Sequence, residues 1–303
     1  PTGTGKSHII AATAAECLRQ GDRVTVCVHR HELMEQTANR FREYGLHFGY
    51  IAAGVKPLDY EKLQLAMVQT LRRRVDTVEA DTIIIDETHR AEFEVVHKKP
   101  PRRLLGFTAT PQRGDRPMSA WYDEMHIGIT YSEAIRQGYI VPARIFAPDT
   151  PNLGDVKIRG GEYDETALAE KIMRMGLVGS VVDHWMRMTP NEKTIVFAVN
   201  VMHAEALAKD FAGRGIQAGC ITGDTPSTER SVLMARFRAG TLRVLVNVAV
   251  FIEGLDVADA SVIVLARPTH SLPFYLQMAG RGCRRFEGKS HYRIHDHGCN
   301  VFE

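Results

Sequence analysis

The chain has 303 residues, with 38 Lys and Arg against 36 Asp and Glu, a formal net charge of +2, and 44% apolar residues. These values are typical of globular proteins and exclude collagen-like repeats, disulfide-rich mini-proteins and disordered chains. At about 150 residues per domain, the length predicts two domains, each able to bury its own core. The near-zero net charge excludes a histone-like polybasic protein, but one basic face could still bind nucleic acid.

The cysteines and the apolar runs bear on the cellular compartment. The cysteines form no CxxC pair, which predicts reduced thiols in a cytoplasmic setting; they are Cys17, Cys27, Cys220, Cys283 and Cys299. No apolar run reaches the roughly 18 residues that a membrane span needs. We therefore expect a cytoplasmic protein with no membrane partner. The sequence lacks an initiating Met and begins inside a phosphate-loop motif, so we expect a fragment whose first strand is missing.

The predicted elements alternate along the chain. The Ala-rich segment from Lys6 to Arg19 predicts a helix buried against a sheet. Short β-branched runs separated by helical stretches predict parallel sheets with crossover helices; they are Val24 to Val28, Thr82 to Asp86, Arg103 to Thr108, Thr194 to Val199, Leu242 to Val248 and Ser261 to Ala266. The Pro- and Gly-rich stretch 142–161 predicts a connection or an irregular domain edge. The fold class is α/β, with one domain over 1–142 and a second over 143–303.

A candidate phosphate loop stands at the start of the chain. Thr2-Gly3-Thr4-Gly5-Lys6-Ser7 has the composition of a Walker A loop. Its glycines let backbone N–H groups surround phosphates, Lys6 would contact the β- and γ-phosphate oxygens, and the Ser7 hydroxyl would bind Mg²⁺. The alternative is a Gly-rich turn that happens to precede a helix. The motif predicts ATP and Mg²⁺ as ligands.

A second candidate motif follows an apolar run. Thr82-Ile83-Ile84-Ile85 leads into Asp86 and Glu87, the arrangement of a Walker B strand. There Asp86 would hold Mg²⁺ and Glu87 would orient the attacking water. The alternative is two solvated acids at a strand end, and the upstream phosphate loop argues against it.

These motifs resemble those of one known superfamily. Asp86-Glu87-Thr88-His89 matches the DExH box and Thr108-Ala109-Thr110 matches motif III of superfamily 2 helicases. Phe251 to Asp256 matches motif V, and Gln277 to Arg284 matches motif VI. The motifs occur in the expected order and cover almost the whole chain. The sequence therefore resembles superfamily 2 DExH-box helicases and ATPases.

Three further phrases are similar to the RadD-like and XPB-like bacterial or phage group of that superfamily: 28–36, 106–111 and 267–269. The chain departs from this group at Thr88, where Ala or Cys is more common. It also departs at Ile252, where a Thr usually precedes the Glu of motif V. The loss of that hydroxyl puts the strength of ATP coupling in doubt.

The resemblance implies two tandem RecA-like P-loop domains and assigns roles to residues of the second half. Arg281 and Arg284 would stabilise charge on the transferred phosphate, an effect that supplies a factor of roughly 10³–10⁵ in related enzymes. Gln277 would lie near the γ-phosphate, and Asp256 near the ribose or the seam between the domains.

It also implies residues that couple hydrolysis to domain movement and residues that contact the phosphate backbone of a nucleic acid. The coupling residues would be Thr108, Thr110, Glu253 and Gly254. The nucleic-acid contacts would be Arg30, Gln69, Thr70, Thr222 and Gly223, for which solvated loop positions are the alternative.

Two other features have competing interpretations. His291, His295, His297 and Cys299 crowd one segment and superficially resemble zinc ligands, but Tyr292 to Asp296 reads as a strand, and no paired ligand spacing is present. The basic runs 72–74 and 100–103 are typical of solvated surfaces, or could line a nucleic-acid path.

The sequence thus predicts an ATP-dependent helicase or translocase acting on nucleic acid, with DNA preferred over RNA. One alternative is the motor of a restriction or remodelling complex that moves on duplexes without separating strands. Another is an ATP-dependent DNA-binding module with little turnover. A small-molecule P-loop kinase fits motifs III and VI poorly.

Overall fold

The computed structural model describes residues 2–56, 58, 60–74, 78–98, 100–111, 117–148, 151–159, 162–248 and 257–300. The chain forms two compact units, Gly3–Ile129 and Thr130–Glu303. The sequence places the boundary later, after residue 142. The segment between the two positions packs with the second unit, because the Val141 N–H donates to the Cys283 carbonyl at 2.8 Å and Ile140 bridges to Arg284.

The first unit is built on a parallel sheet. Its strands are β1 Val24–Val28, β2 Gly49–Ile51, β3 Leu63–Met67, β4 Thr82–Asp86 and β5 Arg103–Phe107. Its helices are α1 Lys6–Arg19, α2 His31–Glu43, α3 Val68–Leu71 and α4 Glu94–Lys98, with short 3₁₀ helices at Ala91–Phe93 and Met118–Ala120. Within the described residues the strand order is β2-β3-β1-β4-β5, with every pairing parallel.

Both faces of this sheet are buried, as the β-branched runs require. Alternate side chains of β1 point to opposite faces. Val24, Val26 and Val28 pack with helices α1 and α2, whereas Cys27 packs with Phe93 and Val96 on the other face. Because all strands run parallel, their carboxyl ends meet at one edge of the sheet, where binding sites of α/β proteins usually lie.

The second unit repeats this plan. Its strands are β6 Ala143–Phe146, β7 Ile158–Arg159, β8 Glu162–Tyr163, β9 Thr194–Phe197, β10 Ala218–Ile221, β11 Val244–Asn247, β12 Val262–Leu265 and β13 Tyr292–Asp296. Its helices are α5 Tyr131–Arg136, α6 Glu165–Arg174, α7 Leu177–Met188, α8 Val201–Gly213, α9 Ser227–Arg238 and α10 Leu272–Ala279. The described strands form a parallel sheet, β10-β11-β9-β12-β13-β6, and a small antiparallel β7-β8 hairpin.

The core of the second unit lies between this sheet and helices α7 and α8. Trp185 and Phe211 pack edge to face at 5.4 Å between ring centroids. They contact valines of the central strands, including Val196 and Val264. The Trp185 indole N–H donates to the Thr194 hydroxyl at 2.6 Å, which satisfies a polar group that is fully buried.

The α/β prediction is confirmed, and α1, β1 and β4 begin and end where the sequence places them. The predicted strand Tyr292–Asp296 is β13. The stretch 142–161, predicted as a connection or an irregular domain edge, contains the regular strand β6, Ala143–Phe146, which pairs with β13 at the edge of the second sheet. Among the described helices, none has the length and apolar composition needed to cross a membrane.

Candidate nucleotide-binding and hydrolysis site

The segment before α1 has the backbone of a phosphate loop. Gly3 and Gly5 adopt φ of 80° and 88°, a left-handed conformation that glycine tolerates and other residues rarely adopt. Helix α1 begins at Lys6 directly after Gly5, and no side chain caps its first N–H groups. Thr2, Thr4 and Ser7 are half-buried beside this turn. The free N–H groups and the helix dipole make this end of α1 suited to an anion.

Lys6 joins the phosphate loop to the end of strand β4. Its Nζ lies 2.9 Å from Asp86 Oδ1 and also contacts Glu87 Oε1. Both carboxylates are buried, with 8% and 11% of their side chains exposed. The structure therefore brings together three residues that are about eighty positions apart in sequence.

The charges of this cluster do not balance. Burial opposes the positive charge of Lys6, but Asp86 and Glu87 outweigh it and raise the pKa of Lys6 above its ordinary value. Burial also raises the pKa of Asp86, an effect that Lys6 opposes and the neighbouring Glu87 reinforces. Two acids against one ammonium leave excess negative potential, which a divalent cation would relieve.

The donor set fits Mg²⁺. Ser7 offers a hydroxyl and Asp86 a carboxylate, the oxygen ligands that this ion prefers, and Mg²⁺ usually takes only one or two carboxylates together with phosphate oxygens. In the part of the chain that the structure describes, no group of three His, Cys, Asp or Glu side chains could hold a metal alone. Phosphate oxygens of a nucleotide would complete this set of oxygen ligands.

Glu87 has an unusual backbone. Its φ is 55°, in the left-handed region that residues other than glycine seldom occupy. Its N–H donates to Asp86 Oδ1 at 3.0 Å, and its carbonyl accepts from the Arg90 N–H at 3.0 Å. Its Oε2 is buried and accepts no hydrogen bond from the described residues. Strained backbone and an open acceptor are features of functional sites.

The DExH-like segment is tied to the segment after β5. His89 Nδ1 is hydrogen-bonded to Thr108 Oγ1 at 2.9 Å and lies 3.5 Å from Glu87 Oε2. Thr108 Oγ1 also accepts from the Thr110 N–H at 3.0 Å, and Thr110 is buried. The two predicted coupling residues of this unit therefore contact the acidic cluster through one histidine.

The predicted nucleic-acid contacts of the first unit follow two neighbouring strands. Strands β1 and β3 pair side by side, with Val28 opposite Met67. Arg30 precedes helix α2 after β1, and Gln69 and Thr70 lie in α3 after β3. The Gln69 side chain donates to the His29 carbonyl at 3.0 Å, which joins the two loops.

In the second unit, the motif VI residues lie on helix α10 and directly after it. Gln277 and Arg281 are buried, and Arg281 Nε donates to the Gln277 carbonyl at 3.4 Å. Arg284 is half-buried and bridges to Ile140. The Arg281 side chain is therefore linked to the backbone of Gln277, one turn earlier.

The other predicted residues of this unit lie apart from motif VI in the chain. Thr222 and Gly223 follow strand β10, where the Thr222 N–H donates to Thr225 Oγ1 at 2.9 Å and Arg230 donates to the Thr222 carbonyl at 3.3 Å. Gly223 is exposed. The motif V residues Glu253, Gly254 and Asp256 lie outside the described residues.

Two of the histidines that superficially resemble zinc ligands, His295 and His297, lie beside other rings in the second unit. His295 is fully buried on β13, where its ring meets those of His184 at 5.1 Å and Phe146 at 6.1 Å. His297 follows the strand and lies 5.6 Å from His184.

Sequence reasoning missed a tyrosine beside the acidic cluster. Tyr122 Oη is hydrogen-bonded to Thr88 Oγ1, next to Glu87. Tyr122 lies in the stretch after motif III, where the sequence favours core packing of aromatic residues over base stacking. The one available signal was the departure at Thr88, which places a hydroxyl where the similar helicases have none.

Models of two protein families match this chain. The family described as "Type III restriction enzyme, res subunit" matches residues 1–113. The family described as "Helicase conserved C-terminal domain" matches residues 177–285. Each match falls within one unit.

Curated relatives extend over both units. A 51.5 kDa protein of Lactococcus phage (isolate 7-9) is 32% identical over 293 residues, which cover 94% of this chain and 61% of that protein. A protein of Saccharomyces cerevisiae, provisionally named ATP-dependent helicase IRC3, is 31% identical over 303 residues, which cover 92% of this chain and 44% of the relative. The chain spans about half the length of the curated relatives it matches.

Solved structures share the fold. A Vibrio vulnificus YJ016 fragment, provisionally described as an HsdR subunit of a type I restriction enzyme, gives a TM-score of 0.70 at 21% identity and covers 93% of this chain and 54% of its own. The Pyrococcus furiosus Hef helicase domain gives a TM-score of 0.56 at 17% identity. The match covers 98% of this chain and 91% of the Hef domain. At these identities the likeness concerns the fold, which is a pair of RecA-like α/β domains.

The two units are RecA-like α/β domains, and the first carries a phosphate loop of the kind that binds nucleotides. The family models and relatives support the superfamily 2 helicase family for this chain. Proteins of that family generally hydrolyse ATP, usually with Mg²⁺.

Proposed function

We propose that this chain is the motor of a DExH-type, nucleic-acid-stimulated ATPase that moves along DNA. The observation that carries the proposal is the cluster of Lys6, Asp86 and Glu87, with Glu87 in a left-handed backbone conformation. A half-buried lysine, two carboxylates and a helix N-terminus are the parts that phosphoryl transfer from ATP requires.

Each residue of the cluster has a role in this proposal. The N-terminal N–H groups of α1 and Lys6 bind the β- and γ-phosphates. Asp86 and Ser7 hold Mg²⁺, which neutralises charge on the phosphate oxygens when bound. Glu87 orients the attacking water and accepts its proton, for which its Oε2 is suited, because it is buried and accepts no hydrogen bond from the described residues.

Lys6 also controls whether the Glu87 carboxylate can bind water in this proposal. Its contact with Glu87 competes with any phosphate group that attracts the ammonium. A γ-phosphate that draws Lys6 toward itself would release the Glu87 carboxylate to bind water. Hydrolysis would then require the triphosphate, because a diphosphate offers Lys6 fewer oxygens.

The second unit contributes arginines and part of the track in this proposal. Arg281 and Arg284 stabilise the charge that develops on the transferred phosphate, and Gln277 binds near it. Polar residues at strand ends contact the sugar-phosphate backbone; they are Arg30, Gln69, Thr70, Thr222 and Gly223. Backbone contacts of this kind carry little sequence information, so choice of target would lie elsewhere.

The relatives' names favour DNA as the track without being uniform. They include an ATP-dependent DNA helicase of Acidithiobacillus ferridurans and a type I restriction enzyme subunit of Escherichia coli, but also an ATP-dependent RNA helicase of Mycobacterium tuberculosis. A restriction enzyme bound to DNA shares the fold, with a TM-score of 0.67 at 16% identity, covering 96% of this chain and 25% of that enzyme. Movement on a duplex without strand separation is the second candidate function.

The test is ATP hydrolysis with single-stranded DNA, duplex DNA or RNA. We expect DNA to raise the rate of ATP hydrolysis. Lys6→Ala should abolish hydrolysis with each of the three polymers. Displacement of a triplex-forming strand, compared with separation of a forked duplex, then distinguishes the two candidates. Turnover that no polymer changes, or that survives Lys6→Ala, would contradict the proposal.

A further inference from the structure

Thr88 is held by two contacts directly after Glu87. Its backbone N–H donates to the Phe107 carbonyl of β5 at 3.1 Å. Its side-chain hydroxyl is hydrogen-bonded to Tyr122 Oη, and either hydroxyl can donate. Thr88 is buried, with 2% of its surface exposed. The residue that follows the left-handed Glu87 is therefore fixed at its backbone and its side chain.

Strand β5 leaves space for this contact at Gly106. A Cβ atom at position 106 would lie 2.6 Å from Tyr122 Oη and 2.7 Å from Thr88 Cγ2. Both distances are shorter than van der Waals contact, so a side chain there would separate the two hydroxyls. Gly106, Thr88 and Tyr122 thus form one packed unit on the face of the sheet that also carries α4.

Aromatic contacts fix the segment that carries Tyr122. Trp121 stacks on the His97 ring of α4 at 4.5 Å with an interplanar angle of 16°. The Tyr122 ring meets the same histidine edge-on at 5.6 Å. The Trp121 and Tyr122 N–H groups both donate to the Met118 carbonyl. Tyr122 is therefore placed by its own segment and by α4, and not by Thr88 alone.

Restraint at Thr88 matters because of the backbone at Glu87. A left-handed residue other than glycine persists only when its surroundings hold it there. Rotation of the Thr88 backbone would swing the preceding peptide and move the Glu87 carboxylate. Displacement of a catalytic group by about 1 Å can cost roughly 10²-fold in rate.

We propose that Tyr122 is a positioning residue for ATP hydrolysis, which acts through the Thr88 hydroxyl to hold Glu87 in its working orientation. The inference rests on the proposed function of Glu87. The Thr88 hydroxyl then has a role in catalysis, because it joins Glu87 to Tyr122. The Tyr122 phenol does not contact Glu87 and acts on it only through Thr88.

The chemistry of the phenol supports a permanent contact. Burial raises the pKa of Tyr122 to about 12, and the hydrogen bond from Thr88 only partly offsets this. The phenol therefore keeps its proton throughout the neutral range. The contact acts as a fixed brace and is not expected to change the pH profile of hydrolysis.

The experiment compares steady-state ATP hydrolysis of the full chain and its variants, with kcat and KM for ATP determined separately. Tyr122→Phe and Thr88→Val each remove one hydroxyl and keep the size of the side chain. We expect kcat to fall roughly tenfold in either variant while KM is unchanged, the effect of one lost hydrogen bond. Thr88→Ser keeps the hydroxyl and should retain most of kcat.

The double variant and two controls complete the design. Tyr122→Phe combined with Thr88→Val should lose no more kcat than either change alone, because both remove the same contact. Tyr60→Phe is the matched control, since Tyr60 lies in the same unit and is 75% exposed. Glu87→Gln tests the proposed function in the same assay.

The outcomes separate the two proposals. Loss of kcat in Glu87→Gln together with wild-type kcat in Tyr122→Phe would overturn the positioning role and leave the proposed function standing. Wild-type turnover in Glu87→Gln would overturn both. Losses that multiply in the double variant, or that appear in KM, would also contradict a shared brace. If Tyr122→Phe fails to fold, Thr88→Val against Thr88→Ser decides the same question.

Discussion

At the scale of single residues, the site depends on a lysine that neutralises only one of two buried acids. Lys6 contacts both Asp86 and Glu87, and the two carboxylates raise its pKa despite burial. In the proposed function, the remaining negative charge suits the cluster to Mg²⁺ and nucleotide, since an uncompensated buried charge is otherwise costly.

The proposed role of Glu87 predicts how its replacement by Gln changes the rate of ATP hydrolysis. In Glu87→Gln the side chain keeps its shape but cannot accept a proton from water. We expect ATP hydrolysis to fall by about 10²–10⁴, the range that general-base catalysis supplies. Phosphate release measures the loss, and fluorescent-nucleotide binding should show that affinity is kept. Glu79→Gln, at an exposed position, is the control; equal losses in the two variants would contradict the assignment.

Buried histidines predict a pH dependence of stability in the second unit. Burial lowers the pKa of His295 to about 3, with His184, His297 and Arg293 adding to the effect, and burial lowers the pKa of His203 to about 4. The unfolded chain binds protons near pH 6.5 and the folded chain does not. Folding stability is therefore complete above pH 6.5 and falls as pH drops below it.

We expect the free energy of unfolding to fall by about 2 kcal/mol per histidine between pH 7 and pH 5. Urea denaturation at several pH values measures the slope. His295→Leu should remove the part of this pH dependence that His295 contributes. His126→Gln should leave the pH dependence unchanged, because His126 is 86% exposed. If the unfolding free energy depends on pH equally in both variants, His295 is not a buried, neutral ring in the folded chain.

The residues that the sequence predicted are those with local signals. Gly3, Gly5 and Lys6 are recognisable because phosphate binding needs them at fixed spacing. Asp86 and Glu87 are recognisable because they end an apolar strand. Tyr122 was not predicted, since it is 34 residues away from Thr88 in sequence and only the fold brings the two hydroxyls together.

At the scale of elements, the loop between β12 and α10 is held from several sides. Glu162 of β8 accepts from Thr269 Oγ1 and from the His270 N–H. Asn300 accepts from the Thr269 N–H at 2.7 Å. Ser271 caps α10 by accepting from the Phe274 N–H at 3.4 Å. These contacts fix the start of the helix that carries Gln277.

Arg267 is the buried charge of this loop, and its replacement tests how the loop is held. It donates to the Val199 carbonyl at 3.1 Å and to Glu165 at 2.8 Å, and lies over the Phe274 ring at 4.8 Å. Arg267→Lys keeps the charge but loses the planar fork. We expect a loss of about 1–3 kcal/mol in unfolding free energy, measured by chemical denaturation.

The control for that change is Glu165→Gln, which removes only the charge of an exposed partner. With 57% of the Glu165 side chain exposed, the loss should be at most about 1 kcal/mol. If the two variants are equally stable, Arg267 acts as an ordinary surface ion pair.

Some elements escaped sequence prediction for physical reasons. Strand β10 contains Ala218 and Gly219 and lacks a β-branched run, and β3 interrupts its apolar pattern with Gln64. A Cβ atom at position 219 would lie 3.0 Å from Leu233 Cδ2 and 3.1 Å from Leu242 Cδ2, a tight contact, so packing as well as propensity bears on this strand. Strand β6 is exposed along its middle and lies in a Pro-rich stretch, where turn signals dominate.

At the scale of the whole molecule, two parallel-sheet units of similar plan follow one another, and the proposed chemistry needs residues from both. The first contributes Lys6, Asp86 and Glu87, and the second contributes Arg281 and Arg284. The alternation of strands and helices predicted this organisation, because parallel strands require crossover connections. The end of the first unit at Ile129 could not be read from the sequence, because α5 gives no signal of which sheet it packs against.

The most direct test of this account is the rate of ATP hydrolysis with and without single-stranded DNA, in the wild-type chain and in Arg281→Lys. The account predicts that DNA accelerates the wild type and that Arg281→Lys loses about 10³-fold or more of the DNA-stimulated rate. ATP binding should persist in the variant. A rate that DNA leaves unchanged, or an Arg281→Lys variant as fast as the wild type, would contradict the claim that this chain is a nucleic-acid-driven motor.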